Sequence, residues 1–322
     1  MSNDNDYVIG LDLGGTFLKY ALGTPEGKLL INRKMPSKGQ EAKEKIFGVI
    51  FTAIEEMLDE AKALNGHVIA IGFGSPGAIN FELGKQIGET PNLPQWIDSD
   101  IRGEIENRFN IPVWADNDAN VMAFAESRQG AAKGYRYMIA LTLGTGIGGG
   151  VLLDNEIFRG ANYAGAELGH VTIDYDGPQC NCGGRGCIER YSSATGMVEN
   201  YCRKKNIDKT NVNTELIFAN KEQGEVEATQ TIEETCDYLG AALASMVNMF
   251  NPEIIVIGGG VAQAGEAFIQ KINNAVKLRA MGPALRNLQI VKAALDNKAG
   301  MVGAICMAAE MYKKSLNTNE AV

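Results

Sequence analysis

"YVIGLDLGGTFLKYALGTPEGKLLINRKM", Tyr7–Met35, decides how the chain is read. Three short apolar runs are separated by Gly14-Gly15 and by Thr24-Pro25-Glu26-Gly27, where Pro and Gly suit tight turns. The spacing predicts a three-stranded meander. "YRYMIALTLGTGIGGGVLLDNEIF", Tyr135–Phe158, opens the same way, with a strand, a Gly/Thr turn and a second strand. After the first opening, Ile46, Ile50, Ile54, Met57 and Ala61 recur at helical spacing. The strand "HVIAIGFGSPG" follows, then a helix over 101–109 and the strand "IPVWADND". After the second opening, Ile232, Cys236, Leu239, Leu243, Val247 and Phe250 trace one face of a long helix. The strand "EIIVIGGG", a further strand over 288–293 and a helix over 301–313 complete the chain. Residue identity between the halves is weak, so the repeat is one of element order. It implies an α/β fold of two domains with a cleft between them.

Composition narrows the partners. A chain of 322 residues is too long for one small core, and 45% hydrophobic with 21% charged residues describes a globular protein. No apolar run reaches the roughly 18 residues that span a bilayer, and the start Met1-Ser-Asn-Asp-Asn-Asp lacks the features of a signal peptide. A cytoplasmic protein without a membrane partner is expected. A net charge of −9 argues against a nucleic-acid-binding surface, because neutralising phosphates needs clustered Lys and Arg. A small anionic substrate stays possible, since backbone amides and a metal ion bind phosphate locally. Cys202, Cys236 and Cys306 fall in apolar-periodic segments and are expected in the core.

Three glycine clusters are candidates for a nucleotide. "LDLGGTFLK" supplies Gly14, Gly15 and Thr16, and "LTLGTGIGGG" supplies Gly144, Thr145 and Gly146. Glycine lets the backbone approach a phosphate, and amides plus a Thr hydroxyl can bind its oxygens. Neither matches a Walker or dinucleotide fingerprint, because no helix follows directly. Each alone is also simply a hairpin turn; the pair, at matching places in a duplicated chain, is the stronger signal. Gly258, Gly259 and Gly260 end a strand, where ligands bind in α/β sheets, so they are expected at an adenosine. A tight strand-to-helix turn is the plain alternative. Asp12, at the mouth of the first loop, suits Mg²⁺ beside phosphates. Lys19 either meets a phosphate or points to solvent.

"WADNDANVMAFAESRQG" places Asp116, Asn117 and Asp118 where a strand meets a helix. Such residues cap helices, and Gly130 suits the far end. They also suit phosphoryl transfer to an alcohol, which needs a carboxylate to receive the hydroxyl proton. Asp118 is the candidate base and Asn117 a candidate for binding the acceptor. In "GHVTIDYDGPQCNCGGRGC" (169–187), nine residues separate His170 from Cys180 and four separate Cys182 from Cys187. Three thiolates and an imidazole form a four-coordinate set suited to structural Zn²⁺. A disulfide is disfavoured in a reducing compartment, and Cys-x-Cys lacks the gap of a thioredoxin-like motif.

"DLGGTFLK", "DNDAN", "GAELGH", "CNCGGRGCIE" and "VIGGG" occur together and in order. The chain resembles the ROK family of sugar kinases and sugar-responsive repressors, within the actin-like/hexokinase fold, from about Val8 to the C-terminal helix. The resemblance implies that Asp118 is the catalytic base, that Asn117, Glu167, His170 and Glu189 bind sugar hydroxyls, and that Gly77 of "GSPG" and Asn92 lie near the sugar. Amides and carboxylates pair with vicinal hydroxyls and discriminate against sugars lacking one. It further implies zinc at His170, Cys180, Cys182 and Cys187, with the second histidine nitrogen facing a hydroxyl. The expected reaction is ATP-dependent 6-phosphorylation of a hexose, glucose first. N-acetylmannosamine, N-acetylglucosamine, fructose and allose are alternatives, polyphosphate is an alternative donor, and a non-catalytic sugar sensor is the alternative role. The repressors carry a helix-turn-helix ahead of the first loop; six residues precede Tyr7 here, and both loops and the base are present, which favours the enzyme. A homodimer or homotetramer is expected. The expected division is 1–118 with a C-terminal helix of about 303–322, against 119–302.

Overall fold

The Tyr7–Met35 stretch folds as its turns predict: β1 (Asp6–Leu13), β2 (Phe17–Gly23) and β3 (Leu29–Pro36) pair antiparallel in succession. A computed structural model of the chain describes residues 5–88, 90 and 92–319. Residues 1–4, Pro91 beside Asn92 and the last three residues of the expected C-terminal helix lie outside it. Next come α1 (Lys43–Ala63), β4 (His67–Ser75), the hairpin β5 (Ile79–Asn80) and β6 (Lys85–Gln86), α2 (Ile101–Phe109), β7 (Val113–Asn117) and α3 (Asp118–Gln129). The second opening forms β8 (Met138–Leu143), β9 (Ile147–Leu153) and β10 (Glu156–Ile157). Beyond the His/Cys stretch lie α4 (Glu189–Ser192), α5 (Ala194–Lys205), α6 (Thr214–Glu222), α7 (Val226–Phe250), β11 (Ile254–Gly258), α8 (Glu266–Lys277) and β12 (Gln289–Lys292). Helix α9 (Ala299–Asn319) closes the described chain.

The repeat in element order is a repeat in topology. One sheet runs β3-β2-β1-β4-β7 and the other β10-β9-β8-β11-β12. In the first, β4 is parallel to β1 and β7; in the second, β11 is parallel to β8 and β12.

Period-two alternation along β1 sorts the first unit's two faces. Ile9, Leu11 and Leu13 pack with Ile46, Ile50, Ile54 and Met57 of α1. Val8, with Ala21 and Ala70, meets Met301, Ile305 and Ala308 of α9. That second face is close: a Cβ on Gly72 would lie 1.9 Å from the Ala304 carbonyl oxygen, so glycine is needed there. In the second unit, Ile139, Leu141, Ile255 and Ile257 pack with the expected Ile232, Cys236, Leu239, Leu243 and Val247 of α7. Cys202, Cys236 and Cys306 are buried, as their periodicity implies.

The first unit runs to Lys133 and takes in Ile157–Gly165 and the chain from Asn297; the second is Gly134–Glu156 with Ala166–Asp296. The division expected at 118 and about 303 therefore falls at 133 and 297. The reason is packing of α3 on α9, where Gly303 lies against the Val121 carbonyl and Glu310 pairs with Arg128.

Candidate functional site

Strand register gathers the acidic candidates of the first unit. Asp12 of β1 pairs with Gly74 of β4, and Gly74 with Asp116 of β7, so one row crosses the sheet near the strands' carboxyl ends. The turns that follow carry Gly14, Gly15 and Thr16, then Gly77, then Asp118, all at one edge. Ligands of parallel sheets bind at such an edge. Asp12 lies on the α9 face, and a Cβ on Gly300 would come within 2.4 Å of its carboxyl carbon. The start of a helix favours a nearby carboxylate. Lys19, on β2 opposite Asp12, has its Nζ 3.2 Å from Asp12 Oδ2. Asn92 is exposed and packs on the first loop, where a Cβ on Gly15 would lie 3.1 Å from it; its carbonyl accepts from Gln40 Nε2 at 3.1 Å.

The acidic corner is both a cap and a cluster. Asn117 is the N-cap of α3, its Oδ1 accepting from the amides of Ala119 at 2.9 Å and Asn120 at 3.2 Å. Its Nδ2 donates to the Gly77 carbonyl at 3.0 Å, so one amide hydrogen is left for an acceptor. Asp118, half-buried in the first turn of α3, has Oδ1 2.8 Å from the Ala119 amide. Asp116 is 1% exposed. Its Oδ2 lies 2.8 Å from Arg159 Nε and 2.7 Å from Arg159 Nη2. Its Oδ1 accepts from the Asn117 amide at 2.7 Å and Asn120 Nδ2 at 3.1 Å. Burial pushes the Asp116 carboxyl up, and Arg159 is the main force pulling it back. The Arg159 guanidinium also lies 3.7 Å over the Phe81 ring. Neither Arg159 nor Gly300 is marked by any periodicity or motif; tertiary packing alone brings them here.

In the second unit, His170 ends a 3-10 turn, Leu168–His170, whose amide bonds to the exposed Glu167's carbonyl at 3.0 Å. Its Nδ1 is 3.6 Å from Cys180 Sγ, and Cys182 Sγ is 3.6 Å from Cys187 Sγ. All four ligand atoms lie within 4.8 Å of one another. Tetrahedral zinc, with Zn–S near 2.3 Å and Zn–N near 2.05 Å, requires S···S of about 3.8 Å and S···N of about 3.6 Å. The set fits. Facing Cys180 through Nδ1 leaves the His170 Nε2 outside the cluster. The six cysteines are free thiols, so the disulfide alternative is not adopted.

The second glycine loop turns through a Gly144 amide to Gly146 carbonyl bond of 2.9 Å. Thr145 at its tip is exposed. Glu189, first residue of α4, accepts the Ile147 amide at 2.8 Å through Oε2, so it stands against this loop. Gly258 ends β11, Gly259 has φ +88° against Leu143, and Gly260 leads into the 3-10 turn Val261–Ala264. The third cluster is therefore a tight strand-to-helix turn in form. Among the described residues no helix is long and apolar enough to cross a membrane.

These features define a class: two α/β units on one strand order, with acidic groups at one carboxyl edge and glycine turns at both. The ROK family model matches residues 8–311, and the chain belongs to that family. It is 34% identical over 308 residues to the glucokinase of Thermotoga maritima, covering 92% of this chain and 95% of that one. Its fold matches the ROK hexokinase of Thermus thermophilus with a TM-score of 0.84 at 33% identity, covering 96% and 99% of the two chains. It also matches the ROK glucokinase of Streptomyces griseus, solved in complex with glucose and AMPPNP, with a TM-score of 0.80 at 29% identity, covering 94% and 99%.

Proposed function

We propose that this chain transfers the γ-phosphoryl group of ATP to the 6-hydroxyl of glucose. Relatives named glucokinase at 34% identity over 92% of the chain support the reaction. The observation that carries it to particular residues is the carboxyl edge of the first sheet, where Asp12, Gly77, Asn117 and Asp118 converge. Asp118 takes the proton of the attacking hydroxyl, held in place by the first turn of α3 and by the Ala119 amide. The remaining Asn117 amide hydrogen and the Gly77 turn orient the sugar, with Asn92 beside them. In the second unit, Glu167, His170 Nε2 and Glu189 supply further hydroxyl contacts. The loops at Gly14–Thr16 and Gly144–Gly146 cradle phosphates through backbone amides, and Gly258–Gly260 borders the adenosine. Asp12 would hold Mg²⁺, which screens the phosphate charge during transfer. His170, Cys180, Cys182 and Cys187 would hold Zn²⁺, whose part is to fix His170 in one tautomer and orientation. The reaction is placed in the cytoplasm, where free thiols persist, in a homodimer or homotetramer.

Asp118→Asn keeps the acceptor for the Ala119 amide but cannot take a proton. It is expected to abolish turnover while leaving glucose affinity within about threefold, read by a coupled assay and by titration. Near-normal turnover removes Asp118 from this role. The same assay, run over hexoses, amino sugars and polyphosphate, tests acceptor and donor.

A further inference from the structure

Ile147 opens β9 directly after the second glycine loop, and both of its backbone groups are confined. Its amide donates to Glu189 Oε2 at 2.8 Å, and its carbonyl oxygen lies 2.0 Å from where a Cβ on Gly169 would stand. Gly146 is as tightly placed, since a Cβ there would be 2.4 Å from Glu189 Oε2. The chain beyond Glu189 holds the rest of the loop: the Ala194 amide donates to the Gly144 carbonyl at 2.8 Å, and Thr195 Oγ1 to the Thr145 carbonyl at 2.8 Å. These contacts grow from the two ends of the His/Cys cluster. Gly169 adjoins His170, and Glu189 follows Cys187 by two residues.

The loop does not need Glu189 to turn, because the Gly144–Gly146 bond already closes the hairpin. A carboxylate facing a loop amide does something more specific. A charge-assisted bond is shorter and stronger than a neutral one, and it fixes the peptide plane preceding Ile147. That plane carries the Gly146 carbonyl, so the bond sets where the neighbouring loop amides point.

We infer that Glu189 is a positioning residue for the second phosphate loop as well as a ligand for the sugar. Oε2 orients the loop through the Ile147 amide, while Oε1, which takes no part in that bond, meets a sugar hydroxyl. A sugar that orders this carboxylate therefore orders the loop, and sugar and nucleotide bind with reciprocal coupling. The inference rests on the kinase reading above.

The test measures affinity rather than turnover, by calorimetry on zinc-loaded protein with glucose and with Mg·AMPPNP, each alone and together. Glu189→Ala is expected to weaken AMPPNP about tenfold with no sugar present and to remove the tightening that glucose confers on the wild type. Glu189→Gln, whose amide oxygen can still accept from Ile147, restores sugar-free AMPPNP affinity to within about threefold while glucose stays weak. Gly146→Ala, which crowds Oε2 and leaves every cluster residue in place, weakens glucose measured without nucleotide. It carries the test alone should Glu189→Ala lose its zinc. Wild-type AMPPNP affinity in Glu189→Ala, with glucose weakened, overturns the positioning role and leaves the sugar contact standing. A wild type that binds neither ligand overturns the kinase reading itself.

Discussion

Arg159→Ala tests whether the acidic corner depends on one buried ion pair. The guanidinium contributes two donors, at 2.8 and 2.7 Å, to an Asp116 that is 1% exposed. Truncating it strands a buried carboxylate, a change that costs about 3–5 kcal/mol. Burial already raises the Asp116 carboxyl against the pull of Arg159, so its loss raises the group further. The folded state then keeps a proton that the unfolded chain, with a pKa of about 3.9, has released. A folded pKa above the unfolded one gives stability that falls as pH rises through the folded value. The variant's penalty is therefore pH-dependent, reaching about 3–5 kcal/mol at pH 8 and falling below that at pH 5, where protonation relieves it. The chain's two tryptophans, Trp96 and Trp114, both lie in the first unit, so fluorescence-detected urea unfolding reports on that unit alone. Asp116→Asn combined with Arg159→Ala retains an oxygen for Asn120 and the Asn117 amide but cannot ionise. It should be more stable than Arg159→Ala at pH 8 and similar to it at pH 5. A penalty of the same size at both pH values, or a double variant weaker than Arg159→Ala at pH 8, refutes the reasoning.

Three further outcomes follow from contacts described above. Gly72→Ala puts a methyl 1.9 Å from the Ala304 carbonyl oxygen, a backbone atom that cannot swing aside. It should destabilise the first unit by about 3 kcal/mol in the same fluorescence assay, and a loss below about 1 kcal/mol would mean α9 shifts freely. Cys182→Ser is expected to lose metal, counted by elemental analysis, and glucose affinity together; full glucose affinity without metal would break that link. In metal-stripped protein, iodoacetamide should modify Cys182 first, since it is exposed and the Gly184 amide lowers its thiol. Cys236 and Cys306, pushed up to about 12 by burial, should stay unmodified in peptide mass spectra, and their reacting ahead of Cys182 would contradict the assignment.

Much of the fold was legible because hydrophobic periodicity is a local signal. The helix expected over 101–109 is α2 at Ile101–Phe109, and the two strand-turn-strand openings both form. The His/Cys cluster was legible because its members are rare residue types at short spacing, and the loop between them is closed by its own backbone bonds. The corner was legible only in kind. Asp and Asn before an apolar run announce a cap, but backbone geometry decides that Asn117 caps and Asp118 enters the helix. Arg159 was not legible, because its partner lies across an irregular segment whose course only tertiary packing sets. The boundary of the first unit was not legible for the same reason: nothing local to α3 says that it will pack against α9.

The repeated topology gives each site position a counterpart, and the differences between counterparts are informative. Asp12 pairs with Gly74 across β1 and β4, and Thr142 pairs with Gly258 across β8 and β11, so the two occupy the same place in their sheets. One place holds a carboxylate and the other a hydroxyl. A bare carboxylate about 4 Å from a phosphate oxygen would be repelled by about 4 kcal/mol at an effective dielectric constant of about 20, whereas a threonine can donate to it. At this register position the Thr142 side can therefore meet a phosphate directly, and the Asp12 side through a cation. The Lys19 Nζ at 3.2 Å from Asp12 shows that this edge already attracts one. On the proposed reading, duplication followed by divergence at a single register position separates the work: the glycine-lined edge binds phosphate through amides and hydroxyls, while the acidic edge recruits the cation and receives the proton.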